Sequence, residues 1–151
     1  MTQAAPEFGE WLGVKYKTLL AGSETAGGIS ITQSISPAMS GPPRHIHHRE
    51  DETFYLLSGQ CVFWLDGTIY RKSAGEAMFI PRGVVHTFRI PGEVPCDHLT
   101  IMSPGGFEGF FAAMVAGQYR MPEDMSRVAE IAGRFDMSFT GPPLSEADIQ
   151  L

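Results

Sequence analysis

Three of the chain's five histidines, His45, His47 and His48, fall within four residues of one another in the segment GPPRHIHHREDETFYLLSG. On an extended strand, side chains alternate between faces, so His45 and His47 share one side while Ile46 takes the other. Two imidazoles can then converge on one ion. Glu52 lies five positions beyond His47, far enough for a bend to carry its carboxylate round to the same point. Asp51 competes for that place within the acidic run Glu50, Asp51, Glu52, but the spacing favours Glu52. His86 is the fourth candidate: in GEAMFIPRGVVHTF, Pro81 and Gly83 set a turn before a strand that can pass alongside the first. Imidazole together with carboxylate suits Fe, Ni, Mn, Cu, Co or Zn better than Mg or Ca. Three neutral imidazoles and one carboxylate leave a divalent ion a net charge of about +1 and, at six-coordination, about two open positions. Such a centre is a Lewis acid with room for an enol, enolate or catechol-like oxygen and, on a redox-active metal, for dioxygen.

Other residues near these have weaker claims. Arg44 and His48 project away from the ligand face on a regular strand, which makes them surface or supporting groups. Phe54 shares the parity of Glu52, and Phe88 that of His86, so both are candidate walls of a substrate pocket as well as core residues. On the next strand Phe63 or Trp64 joins them, depending on which parity faces inward, and Trp64 is the wall candidate. His98, on the last strand, is either a hydrogen-bonded barrel histidine or a further pocket residue.

The two histidine segments resemble the paired motifs of the cupin superfamily. The first motif has the form HxH, three or four residues, Glu, six residues, Gly, and is met here by His45, His47, Glu52 and Gly59. The second is Gly, five residues, Pro, one, Gly, two, His, three, Asn. Gly75, Pro81, Gly83 and His86 match it, and Ile90 replaces the final Asn. Gly41 also stands closer to His45 than the opening Gly of the first motif does in the family. This resemblance implies an all-β fold, the cupin double-stranded β-helix or jelly-roll barrel with C-terminal helices, holding one divalent ion through His45, His47, Glu52 and His86. The wording of the first motif is similar to that of quercetin 2,3-dioxygenase-like cupins. It therefore implies a metal-dependent dioxygenase acting on a small aromatic or enolic substrate, with Glu52 both a ligand and the acceptor of a substrate proton. Two other classes stand beside it: a non-oxidative metal-dependent isomerase, cyclase or lyase, and a non-catalytic cupin that binds a small molecule.

These residues need rigid strands to hold them. Between Trp11 and His98 the chain runs in short segments rich in Val, Ile, Thr, Phe and Tyr, broken by Gly, Pro and Asp-Gly. Strands are expected at residues 13–20, 28–36, 53–57, 61–65, 68–71, 77–81, 85–90 and 98–102. Asp66-Gly67 is the hairpin signal between two of them, and Ser58-Gly59 a similar reversal. After Ser103 the period changes. Phe107, Phe110, Phe111, Met114 and Val115 fall on one face of an amphipathic helix, and a second helix is expected from Pro122 to about Ala132. The residues form a single domain, with a barrel over about 11–102, a helical segment over about 104–135, and a tail over 136–151 in which Gly141 to Leu151 is an irregular strap.

Composition narrows the partners. The chain has 151 residues, 43% hydrophobic and 19% charged, as in folded globular domains. Its 11 basic against 17 acidic residues give a net charge of −6, the wrong sign for nucleic acid or an anionic membrane. No apolar run is long enough to span a bilayer, and MTQAAPEFGEW has neither a basic nor a hydrophobic leader region, so a cytoplasmic location is expected. Cys61 and Cys96 lack CxxC spacing and predict no disulfide: Cys61 reads as a small core residue and Cys96 as a loop thiol. A homodimer is expected, with Val14–Leu20 adding to a partner's sheet.

Overall fold

A computed structural model describes residues 7–150 of the chain. The elements in chain order are strands β1 (Gly9–Trp11), β2 (Val14–Leu20), β3 (Ser30–Ser36), β4 (Pro43–His47), β5 (Asp51–Ser58), β6 (Gln60–Leu65), β7 (Thr68–Ser73), β8 (Ala77–Ile80), β9 (His86–Arg89) and β10 (Cys96–Ser103), helices α1 (Glu108–Gly117) and α2 (Met125–Arg134), and strand β11 (Met137–Pro143). They make two antiparallel sheets, one ordered β1-β2-β3-β10-β5-β8 and the other β11-β4-β9-β6-β7. β10 lies between β3 and β5, and β9 between β4 and β6, so strands far apart in sequence are neighbours. This is the double-stranded β-helix that the motifs imply.

Local chemistry sets the reversals that matter for the site. Asp66 and Gly67 have φ of 43° and 95°, as a two-residue hairpin turn of this type requires, and Leu65 pairs with Thr68 across it. At the entrance to β4, a Cβ on Gly41 would run into the Phe88 carbonyl oxygen. The missing side chain lets this segment lie against β9, and just beyond it His45 pairs with His86.

The interior has two regions. Around Phe54, Leu56, Phe63, Met78 and Ile80 the sheets pack as a dry core. Toward β3 the alternation is inverted: Ser30, Thr32, Ser34 and Ser36 are the buried set, while Ile31 and Ile35 face outward. Of these, Ser34 and Ser36 border a cavity. On the outer face of the same sheet, Tyr55, Leu57 and Phe79 are exposed and apolar.

The helices close one end of the barrel. Phe107, Phe110, Met114, Val128 and Ile131 bury against Trp11, Met102 and Met137. Phe111 and Val115, on the same stripe, pack partly against this cluster, and Ala113 joins them from beside it. The second helix begins at Met125, not near Pro122, because Asp124 is engaged in a turn: its Oδ2 accepts the Arg120 N–H at 2.8 Å. Residues 141–143, expected to open an irregular strap, instead end a strand. Met137–Pro143 forms β11 and pairs with β4 from Met137↔His47 to Pro143↔Pro43, satisfying the free edge of the strand that carries the histidines. Leu144 and Ile149 then bury against Val62. Cys96 is no loop thiol: it opens β10 fully buried, in the same core cluster as Cys61, and both are free. Nor is all of β2 open to a partner, because β1 pairs with Val14–Tyr16. Among the described residues no helix is long and apolar enough to cross a membrane.

Candidate metal centre

His45 and His47 leave β4 on the buried side, and the β4–β9 pairing sets His86 opposite His45. One ligand atom from each of the three lies within 4.8 Å of the other two, and all three residues are buried. The imidazoles are oriented by backbone. His45 Nδ1 donates to the Pro43 carbonyl at 2.8 Å, and His86 Nδ1 to the Val84 carbonyl at 2.9 Å. A carbonyl can only accept, so each Nδ1 carries the proton and each Nε2 keeps its lone pair for the cluster.

Glu52 enters from the other sheet, near the start of β5, where it pairs with Ile80 and Met102. Its Oε2 is 2.9 Å from His47 Nε2 and 3.8 Å from His86 Nε2. The three imidazoles form the tight group and the carboxylate stands at its edge. Asp51 turns the other way. Arg82 holds it from outside through its backbone N–H at 2.9 Å and its Nε at 3.2 Å, which settles which of the two acidic residues faces inward.

Charge in the cluster is unevenly placed. Burial, then the neighbouring His86 and His47, push the His45 imidazolium down to about 3, so it is a neutral donor at physiological pH. Burial pulls the Glu52 carboxyl upward, but the charge and hydrogen bond of His47, together with the nearby His86, outweigh it and hold the group well below the usual carboxylate range. Burial lowers His86, and the Glu52 carboxylate 3.8 Å away, helped by the Val84 carbonyl, reverses that, leaving it raised. The residues fit a transition-metal ion. His86 Nε2 is buried without a hydrogen-bond partner, and it shares one small volume with two further imidazoles and an anion.

The cluster borders a cavity of about 480 Å³. Phe54, Phe88, Phe107, Phe110 and Phe139 supply aromatic wall, Met102, Met121 and Met137 flexible apolar surface, and Ser34, Ser36, His98 and Thr100 a polar side. Phe107 closes over the site, its ring edge-on to His47 at 4.5 Å. Trp64 is not part of this wall. It lies on the outer side of the sheet, where Arg44 stacks over its ring at 4.6 Å, and the inward position on β6 belongs to Phe63, packed 5.0 Å behind Phe54. Arg44 also donates to the Pro142 carbonyl at 2.7 Å, while exposed His48 meets Ser138 Oγ at 2.9 Å, so both brace β11 and neither reaches the cluster.

Sequence reasoning passes over Glu50. Its side chain is 5% exposed and Oε2 lies 3.9 Å from His47 Nδ1, on the side of the ring away from Glu52. Neither atom has another partner. The only signal is its place in the acidic run, where alternation alone gives no reason to bury it.

Residues 32–102 match the family model described as Cupin domain. The chain is 28% identical over 99 residues to quercetin 2,3-dioxygenase of Bacillus subtilis, a stretch that is 66% of this chain and 29% of that protein. It is 34% identical over 73 residues to quercetin 2,3-dioxygenase of Aspergillus japonicus, 44% of this chain and 20% of that protein. The chain therefore spans under a third of the length of either relative. Among solved structures, the Cnp3 cupin domain of Schizosaccharomyces pombe superposes with a TM-score of 0.59 over 78% of this chain and 80% of its own, at 14% identity. Taken with the paired motifs and the double-stranded β-helix that carries them, these matches identify residues 32–102 as a cupin domain.

Proposed function

We propose that this protein is a metal-dependent dioxygenase whose substrate is a small, flat molecule carrying an enol or aromatic hydroxyl. The observation that carries the reading is the juxtaposition of three convergent imidazoles and an anionic, buried Glu52 with an aromatic cavity of about 480 Å³. That volume is in the range that encloses small organic ligands. The similarity to two quercetin 2,3-dioxygenases supports the same direction.

His45, His47 and His86 would hold the ion through the imidazole nitrogens that face the cluster, with Glu52 as the fourth ligand. A divalent transition metal bound there supplies Lewis acidity and, if redox-active, one-electron chemistry with dioxygen. The chain's own groups do the rest. The carbonyls of Pro43 and Val84 fix two ring orientations before any ligand arrives. Phe107 and α1 exclude water from the His47 side. Phe54 and Phe88, whose rings stand 5.3 Å apart, offer faces and edges against which a flat molecule packs. Glu52 is ionised and is the group placed to accept the hydroxyl proton of the substrate once it moves away from the ion and from His47 and His86, whose contacts hold its carboxyl low.

The test is oxygen uptake by protein reconstituted separately with Fe, Ni, Co, Mn and Cu, with flavonols and simpler enols and catechols as substrates, against an anaerobic control. Uptake with at least one metal, abolished by Glu52→Gln and His86→Ala, is the expected result. Absence of uptake with every metal overturns the reading. Anaerobic turnover, or full activity with zinc, would instead place the protein among isomerases, cyclases or lyases.

A further inference from the structure

The cavity has a second polar end that the proposed chemistry does not use. β10 carries His98 two inward positions from Met102, and β3 sets Ser34 directly across from it. His98 is 3% exposed and borders the cavity together with Ser34, Ser36 and Thr100. Its Nε2 lies 2.9 Å from Ser36 Oγ, which fixes the ring. Its Nδ1 is buried and has no partner in the protein. Burial pushes the imidazolium down to about 4, so the ring is neutral, with one nitrogen a donor and the other an acceptor. An unpaired buried nitrogen is costly, and the surroundings supply nothing to relieve it: Phe54 and Phe88 flank the ring at 5.4 and 5.8 Å.

We propose that His98, held by Ser36 and assisted by the Ser34 hydroxyl, is a binding subsite for a hydroxyl group at the end of the ligand remote from the histidine cluster. A hydroxyl suits it better than a carbonyl, because a hydroxyl pairs with either tautomer of the ring and a carbonyl with only one. The register sets the ligand's length. Glu52 stands opposite Met102 and His98 opposite Leu56, two inward rungs apart, which is about 13 Å along the strands. That backbone separation suits a body of about two fused aromatic rings with a hydroxyl at each end. Phe54 and Phe88 line the intervening wall. The ligand class is therefore a flat aromatic body with polar ends. This rests on the reading above only in placing the ligand's reacting end at the histidine cluster.

The test compares 2,6-dihydroxynaphthalene with 2-naphthol by isothermal titration calorimetry on zinc-loaded protein. Against a wholly apolar wall the extra hydroxyl weakens binding, since its burial without a partner costs free energy. Against His98 it strengthens binding, by about tenfold. In His98→Leu the two compounds should bind within about twofold of each other, the preference being carried by one hydrogen bond. Ser36→Ala, a smaller change that the fold tolerates more readily, should lower the ratio as the ring loses its anchor. Equal affinities in the unmodified protein, no measurable binding of the diol, or a ratio unchanged in the variants overturns the subsite. Zinc is redox-inert, so this ratio is read without turnover. Failure of oxygen uptake would remove the dioxygenase and leave the subsite standing, whereas loss of the ratio alone would do the reverse.

Discussion

Replacing His86 with leucine separates what the cluster does for stability from what it does for metal binding. His86 is 1% exposed. Its Nδ1 bond to the Val84 carbonyl contributes about 1 kcal/mol, and that half-buried segment lets water take over the carbonyl when the ring is gone. Its Nε2, by contrast, is buried and unpartnered, a penalty of about 1–3 kcal/mol that leucine does not carry. Glu52 keeps its nearer partner, His47, at 2.9 Å. In metal-free protein His86→Leu should therefore be neutral or stabilising by up to about 2 kcal/mol. One electrostatic contribution must be removed for a clean comparison. The pKa of His86 is raised in the fold, so its tie to Glu52 adds stability that is complete below the unfolded pKa and lost as pH rises through the folded one. Melting at about pH 9, well above the ordinary imidazole value, takes this contribution out. With metal the order inverts. At a free ion concentration of 100 times Kd, binding stabilises the unmodified protein by about 2.7 kcal/mol, or about 5–11 °C in Tm for a chain of this size, and the variant much less. The assay is thermal unfolding followed by circular dichroism, after exhaustive chelation and again with each divalent ion. A metal-free variant that melts clearly lower than the unmodified protein at about pH 9, or an equal metal-induced shift in both proteins, would refute the reasoning.

Two further outcomes follow from features away from the cluster. Glu108 ties the start of α1 to the loop after β2, accepting from the Gly22 N–H at 2.8 Å and the Gly106 N–H at 2.9 Å. Burial raises its carboxyl, but these backbone bonds outweigh that and depress it, so the stability it provides is present above the unfolded carboxyl pKa and is lost as pH falls through the folded value. Glu108→Gln should lower Tm at pH 7 by about 2–8 °C, for a loss of about 1–2 kcal/mol, with the difference from the unmodified protein vanishing below the carboxyl range in a pH series of melts. The outer face of the six-stranded sheet presents Tyr55, Leu57 and Phe79 exposed, with Ile31, Ile35, Leu99 and Ile101 half-buried across its middle strands. Self-association through this face is expected, so sedimentation equilibrium should give a dimer and Leu99→Lys a monomer; a monomeric unmodified protein would contradict it.

The residues of the cluster announce themselves in the chain because strand geometry is local. The alternation that puts His45 and His47 on one side needs no knowledge of the partner strand, and the turn at Pro81 and Gly83 needs none either. The hairpin at Asp66-Gly67 is legible for the same reason, since the positive φ of both residues is a property of those two positions alone. Helix boundaries were less legible where a polar side chain such as Asp124 had a competing local use.

Long-range pairing decided the rest. Nothing in GVVHTF says that His86 will face His45, nor in the acidic run that Arg82 will claim Asp51 and leave Glu52 for the interior. β11 exists because β4 has a free edge to satisfy, a need invisible in the residues after Asp136. Phe63 rather than Trp64 faces inward because of the register of β6 against β9, and Arg44 then stacks over the half-buried Trp64 ring. In β3 the fold buries Ser30, Thr32, Ser34 and Ser36 and turns Ile31 and Ile35 to the other face, a choice the alternation alone does not make. Hydrophobic alternation reports that a strand has two different faces. Which face meets a dry core and which a cavity that must hold a polar group is set by the strands on either side, and so by the tertiary structure alone.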